Sequence, residues 1–481
     1  MKVRKKNVLR KSGRTLIGRN RDFMSIKPNF VILYPDSLAK KAISCYGCPS
    51  AFTPNIDRLA LGGAMFENCT SQNPACMPSR ASLLTGKYVS AHGVYDNGVA
   101  DYPQGHVTFQ QILKRNGYHT AYYGKTHSIN NQEWDDVFDL YPDYNRYLSS
   151  RRIDVKYPEK FPLEDLNAGF SRIPAEDFSE VILGNLAVSY IRRKKGGKDP
   201  FLLFMSFEAP HSPWSLPEEY RRFYRPEMVS LPKIPPEDRR NKPQYRLKYH
   251  GKRSMMVKTD DKLRHAIAIY NALVSVVDEQ IGRIVSALDE TRLRKNTVII
   301  LLSDHGDHLG NHRTMGKCLS LEENLINVPF IVNSPGLFKP HRSKELVESI
   351  DVFPTLMDLA GIPSPSGIQG TSILPFARNS RNASGKEFCF SEEYYDPFPG
   401  HLSVRNREFK LIVNSEGFEE LYNIIEDPYE WFNLASNAEY RSTLCQLKDA
   451  LVQFSFKHVD KSQKSESNWV TEFMKPGFNR Y

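Results

Sequence analysis

Short apolar runs, separated by longer stretches of helical periodicity, constrain this chain more than any other feature. Residues 29–35, N-F-V-I-L-Y-P, form an unbroken apolar run that ends at Pro35 and Asp36. Further runs lie at Phe201–Phe207, Thr297–Ser303 and Phe330–Asn333. Apolar side chains on both sides of the backbone fit a strand covered on both faces. Helical patterns lie between them at Thr108–Asn116, Ala266–Leu288 and Ile350–Ala360. Strands alternating with helices predict an α/β fold: a mixed, mostly parallel central sheet flanked by helices. Ligands of such sheets gather beyond the carboxyl ends of the strands. Asp36 and Asp304 follow their strands directly, and His211 lies a few residues beyond its own.

From about Glu387 the texture changes. Short segments F-C-F-S-E-E, L-S-V-R-N, F-K-L-I-V and E-E-L-Y-N-I alternate with turns, and a helical pattern follows near Ser442–Lys457. They predict a small C-terminal antiparallel sheet packed with one helix. Residues 214–265, rich in Pro, Arg, Lys and Tyr, have no clear period and read as a long insertion over the ligand site. The expected organisation is a basic leader over 1–28, a main α/β domain over 29–380 and an α+β subdomain over 381–481.

The net charge of +10 suggests an anionic partner until its location is considered. Residues 1–28 carry ten Lys or Arg and a single acid, Asp22, so the body of the chain is near neutral. The leader reads as disordered, and no nucleic-acid partner is expected. It lacks the apolar core of a secretory signal, and no long apolar stretch offers a membrane span. The seven Cys are odd in number and scattered, which argues against a disulfide framework. Cys45 and Cys48 form C-Y-G-C, with no second pair nearby to complete a zinc site. A cytoplasmic location is expected on the sequence as given, and a periplasmic or secreted one if the true N-terminus differs.

The segment Cys76–Gly86, C-M-P-S-R-A-S-L-L-T-G, is the most specific in chemical terms. Pro78 suits a first helical turn and Gly86 a helix C-terminal cap. Cys76 therefore lies at a helix start, where free N–H groups and the dipole attract anions. Arg80 lies near the same face and can bind an anion with a fork of donors. A buried structural Cys beside a surface Arg is the plain alternative, and the complete pattern argues against it.

That pattern resembles the signature of the type I sulfatases, a family of the alkaline phosphatase-like superfamily. In that family the Cys is oxidised to formylglycine, whose hydrate attacks a sulfate ester. Other segments resemble the family in the family's order. Asp36–Ser37 matches the start of a divalent-metal site, although the family usually has an acid or amide where Ser37 stands. Y-G-K-T-H, Tyr123–His127, implies that Lys125 binds sulfate oxygens and that His127 holds the nucleophile. E-A-P-H-S-P, Glu208–Pro213, implies that His211 protonates the leaving alcohol. S-D-H-G-D-H-L-G-N-H, Ser303–His312, with Gly316–Lys317, implies that Asp304 and His305 complete the metal site and that Lys317 binds sulfate. V-Y-D-N-G, Val94–Gly98, implies substrate contacts from Asp96 and Asn97, although an Asn-Gly turn explains it almost as well. Asp307, His308 and His312 read as turn or supporting residues.

The resemblance makes the 29–380 domain catalytic and implies a sulfuric ester hydrolase with one divalent cation, calcium by family habit. Ser37 and His305 leave manganese or magnesium open. A formylglycine-generating enzyme is the implied maturation partner. The expected substrate is a sulfated saccharide, with aryl and choline sulfates open. A phosphonate or phosphate ester hydrolase of the same superfamily is the rival reading. A non-catalytic polyanion-binding protein predicts gaps in the catalytic set, and the only substitution found is Ser37.

Overall fold

The computed structural model describes residues 27–458, except 99–104, 128–133, 141–167, 240–241, 244, 246–255, 318, 379–384 and 396. The basic leader, apart from its last residues, therefore lies outside the described residues. In chain order the strands are β1 Asn29–Leu33, β2 Ala64–Thr70, β3 His119–Gly124, β4 Ala168–Ser171, β5 Phe201–Ser206, β6 Trp214–Pro217 and β7 Thr297–Leu302. They continue with β8 Asn327–Asn333, β9 His341–Glu348, β10 Cys389–Glu393, β11 His401–Arg405, β12 Phe409–Asn414 and β13 Glu419–Asn423. The main helices are α1 Pro54–Leu61, α2 Cys76–Thr85, α3 Phe109–Arg115, α4 Ser179–Arg193, α5 Asp260–Glu290, α6 Val352–Ala360 and α7 Arg441–His458.

The central sheet has the order β3-β5-β1-β7-β8-β2-β9. Only β8 runs against the others, since its pairings with β7 and β2 are antiparallel and the remaining pairings are parallel. The unbroken apolar runs follow from this position. Val31, Leu33, Leu203, Met205, Ile299 and Leu301 face a core closed by α1, α4 and α5. Phe30, Ile32, Leu202, Phe204, Val298 and Ile300 face the opposite core, closed by α2, α3 and α6. Successive side chains alternate between two apolar layers, so no polar face interrupts the sequence.

Strands β10 to β13 form the expected antiparallel sheet in sequence order. Leu402, Val404, Leu411, Val413 and Leu421 pack against Leu447, Ala450 and Leu451 of α7. Two details differ from expectation. Trp214–Pro217, the start of the supposed irregular insertion, is β6 and pairs in parallel with β4. The helix expected from Ala266 begins at Asp260, with the Thr259 hydroxyl accepting the Lys262 N–H as its cap. Polar first turns conceal a helix start from apolar periodicity. Among the described residues no helix is long and apolar enough to cross a membrane.

β3, β5, β1 and β7 are consecutive in the sheet, and their carboxyl ends open onto one area. Gly124, at the end of β3, has φ +108, and a Cβ there would come within 1.9 Å of the Ser206 carbonyl on β5. The next residue, Lys125, donates its N–H to that same carbonyl at 2.9 Å. Gly124→Ala should therefore destabilise the protein by roughly 2–5 kcal/mol in denaturant unfolding, combining a left-handed backbone with a clash against main chain. A loss below about 1 kcal/mol would contradict this close approach of β3 to β5.

Candidate active site

Cys76 is the first residue of α2, after an extended Ala75. The helix ends at Gly86, whose φ of 65 gives the left-handed cap expected from the sequence. The Met77 N–H, one of the free donors of the first turn, donates to Asn97 Oδ1 at 2.9 Å. Asn97 thus lies beside the nucleophile position, while Asp96 Oδ1 accepts the Gly98 N–H and holds the Asn-Gly turn. The Cys76 side chain is 1% exposed.

Asp36, Asp304, His305 and Cys76 each offer a ligand atom, and these atoms lie within 4.8 Å of one another. Three of the four residues expected to hold a metal, Asp36, Asp304 and His305, thus lie together beside Cys76. His305 Nδ1 donates to the Gly306 carbonyl at 2.8 Å, which leaves Nε2 facing the cluster, 3.4 Å from Cys76 Sγ. Ser37 lies beside the same cluster. Its hydroxyl donates to Asp36 Oδ1 at 3.1 Å and lies 3.5 Å from Nδ1 of His305, the nitrogen turned away from the cluster. Its N–H donates to Asp304 Oδ1 at 2.9 Å. With φ 63, Ser37 supports the two carboxylates through its hydroxyl and its N–H.

Arg80 places its fork of donors on the carboxylates of the cluster. Its Nη2 donates to Asp36 at 2.9 Å, its Nε to Asp304 at 3.0 Å and its Nη1 to the Ser206 hydroxyl at 2.7 Å. All four of these side chains are buried, so the fork grips the metal-site carboxylates themselves. Burial pushes the Asp36 carboxyl up, but Lys125, His211, Lys317 and Arg80 outweigh it and hold it well below the usual range. Asp304 is pushed up by burial and by the charge of Asp36, against the pull of His305 and Arg80.

Lys317 Nζ lies 2.6 Å from Cys76 Sγ and 2.5 Å from His305 Nε2. Lys125 Nζ lies 2.8 Å from Asp36 and 3.9 Å from the sulfur. Burial and the Asp36 charge push the Cys76 thiol up. Lys317 and hydrogen bonds with His127 and His211 prevail and hold it well below its ordinary value. His211 Nδ1 donates to the Ser212 carbonyl at 2.5 Å, so Nε2 is the nitrogen presented to the site, 3.9 Å from Asp36. Lys125, His127, His211 and Lys317 therefore all interact with one sulfur.

Other contributors escaped the sequence reading. The hydroxyls of Ser71 and Ser79 donate to the Asp304 carbonyl at 2.5 and 2.6 Å. Arg80 lies over the Tyr34 ring, 5.0 Å from its centroid. Tyr270 donates to the Ser37 carbonyl at 2.5 Å and accepts the Ala39 N–H at 2.8 Å, fixing the turn after Asp36. Only Ser79, inside the Cys76 pattern, carried a local signal. Asp307 accepts the Leu309 and Gly316 N–H groups, as a turn residue should. His308 and His312 meet Glu322, at 3.2 and 3.0 Å, outside the cluster.

The fold agrees with comparisons to known proteins. The sulfatase family model matches residues 28–362, and the model for the C-terminal region of N-sulphoglucosamine sulphohydrolase matches 310–457. The chain is 31% identical to the uncharacterized sulfatase YidJ of Escherichia coli strain K12, covering 90% of this chain and 88% of that protein. It is 28% identical to a delta 4,5-hexuronate-2-O-sulfatase of Bacteroides thetaiotaomicron, over 90% of each. The crystal structure of a phosphonate monoester hydrolase of Agrobacterium radiobacter superposes with a TM-score of 0.77 at 22% identity, covering 90% and 96%. That likeness shows the shared alkaline phosphatase-like fold. With the family model spanning most of the chain and a relative above 30% identity along its length, the protein belongs to the sulfatase family and is a sulfuric ester hydrolase.

Proposed function

We propose that this sulfatase removes sulfate from saccharide esters, at the point where Cys76, Asp36, Asp304 and His305 meet. The observation that carries the site assignment is the ring of Lys125, His127, His211 and Lys317 around Cys76 Sγ, with the carboxylate cluster behind it. The hexuronate sulfatase among its relatives supports a saccharide. Formylglycine made from Cys76 supplies an oxygen nucleophile as its hydrate, and a divalent cation supplies positive charge to the nucleophile and the sulfate oxygens.

The residues of this chain divide the remaining work. Asp36, Asp304 and His305 would hold the cation, and Arg80 keeps both carboxylates oriented. Lys125 and Lys317 place positive charge where the non-bridging sulfate oxygens must sit. His127 accepts a proton at the nucleophile, and His211 Nε2 gives one to the leaving oxygen. Asp96 and Asn97 flank the same helix start, and we assign them to the alcohol half of the substrate. Calcium is the family expectation. The imidazole ligand and the engagement of Ser37 with Asp36 reduce the hard oxygen supply and leave manganese or magnesium as alternatives. The Asp, Asp, His set with Ser37 also fits a phosphonate monoesterase. Matched sulfate and phosphonate esters separate the two readings, and faster turnover of the sulfate is expected.

Protein produced with a formylglycine-generating enzyme should yield a Cys76 peptide that carries the aldehyde, and should cleave sulfated saccharides in preference to choline sulfate. Turnover by a preparation whose Cys76 is wholly unmodified would sink this mechanism.

Asp304→Asn keeps the shape of the side chain and removes its charge. Elemental analysis should show loss of the bound divalent metal, and activity should fall at least about 10²-fold. A variant that retains full metal content would remove Asp304 from the site.

His211→Ala should slow esters of poor leaving groups far more than nitrophenyl sulfate, since a general acid contributes about 10²–10⁴-fold where the leaving oxygen is basic. Lys317→Ala should lower kcat/KM for both ester types by similar factors. An equal loss for His211→Ala across the leaving-group series would make His211 a binding residue.

A further inference from the structure

The C-terminal sheet reaches the active site through the last residues of β10. Ser391, Glu392 and Glu393 lie along the segment that leads into Cys76. The Ser391 hydroxyl donates to the Ser71 carbonyl at 2.5 Å, and the Glu392 N–H donates to the Gln72 carbonyl at 2.8 Å. The Glu392 carbonyl accepts from Asn73 Nδ2 at 2.7 Å, and Asn73 Oδ1 accepts the Ala75 N–H, also at 2.7 Å. Asn73 is fully buried, so this bridge is shielded from water. One side of β10 therefore fixes the backbone immediately before Cys76.

The next residue of β10 grips the opposite side of the site. Glu393 Oε1 accepts the Leu319 N–H at 2.7 Å. Leu319 has φ 54, a left-handed backbone that a non-glycine residue keeps only when its surroundings impose it. Both residues are buried, at 0% exposure for Leu319 and 2% for Glu393, so no water can replace this acceptor cheaply. Glu393 Oε2 lies 3.5 Å from His401 Nδ1 on β11, which seats the carboxylate against the sheet. Lys317, two residues before Leu319, is the lysine whose Nζ lies 2.6 Å from Cys76 Sγ.

We propose that Glu393 is a positioning residue for catalysis: with Glu392 it makes β10 a clamp that sets the distance between Lys317 and the nucleophile. The inference rests on the role proposed above for Lys317. Glu393 acts through the Leu319 N–H. The apolar and polar alternation of F-C-F-S-E-E explains the strand. It does not explain a buried carboxylate aimed at a loop of the other sheet.

The test compares kcat/KM for a sulfate ester per mole of aldehyde, so that differences in maturation cancel. Glu393→Ala should lose about 10²-fold through kcat, the scale expected for displacement of a catalytic group by an ångström. Glu393→Gln, which keeps an acceptor oxygen in place, should retain most activity. In a Lys317→Ala background Glu393→Ala should cost almost nothing further, because the two act as one unit. Where Glu393→Ala does not fold, Glu393→Asp withdraws the acceptor by one carbon and should still lower kcat. Additive losses in the double variant, or wild-type kcat in a folded Glu393→Ala or Glu393→Asp, would overturn the clamp. An unchanged kcat/KM in Lys317→Ala alone would instead overturn the role of Lys317, and the clamp with it.

Discussion

The site depends on one guanidinium shared between two buried carboxylates. Asp36 and Asp304 end neighbouring strands and are fully buried within a few ångströms of each other. Two such charges repel strongly where water cannot screen them. Arg80 reaches both from the first turns of α2 and uses its third donor direction on Ser206, at the end of β5. A single side chain thus ties β1, β5 and β7 to the helix that begins with Cys76. Its two ion pairs hold both carboxylates side by side at the start of that helix.

This arrangement explains why the groups of the candidate site are far apart in sequence. Four of the parallel strands contribute a residue from beyond the carboxyl end: Asp36 after β1, Lys125 after β3, His211 after β5 and Asp304 after β7. The antiparallel sheet adds support from behind through Glu392 and Glu393. Rigid strands set the spacing, and short loops with few degrees of freedom present the side chains.

The central strands are legible in the sequence, and others are not, for a physical reason. β1, β5 and β7 are covered on both faces, so their residues are continuously apolar. β3 and β9 are the edges of the sheet. Edge strands carry polar residues, and H-R-S-K-E-L-V-E of β9 shows no buried-strand pattern. β2 is central, but its register shifts between Phe66 and Cys69, where Glu67 and Asn68 break the apolar run. In the site, Cys76, Lys125, His211, Asp304 and Lys317 stand out because the proposed chemistry requires those residue types in a recognisable order. Ser71, Ser206 and Tyr270 do not, because a hydroxyl that bonds to its neighbours leaves no spacing rule behind. Arg80 is visible within the Cys76 pattern, but its partners depend on which carboxylates the fold brings to it.

The burial of Cys76 has a consequence in time. At 1% exposure, under the lysines and histidines that crowd its sulfur, the side chain is out of reach of another protein's active site. An enzyme that oxidises it must act on the extended chain, before β7 and its following loop, more than two hundred residues downstream, have closed over it. On the proposed formylglycine route, oxidation and folding therefore compete for the same interval, and the aldehyde content of a preparation would record which came first.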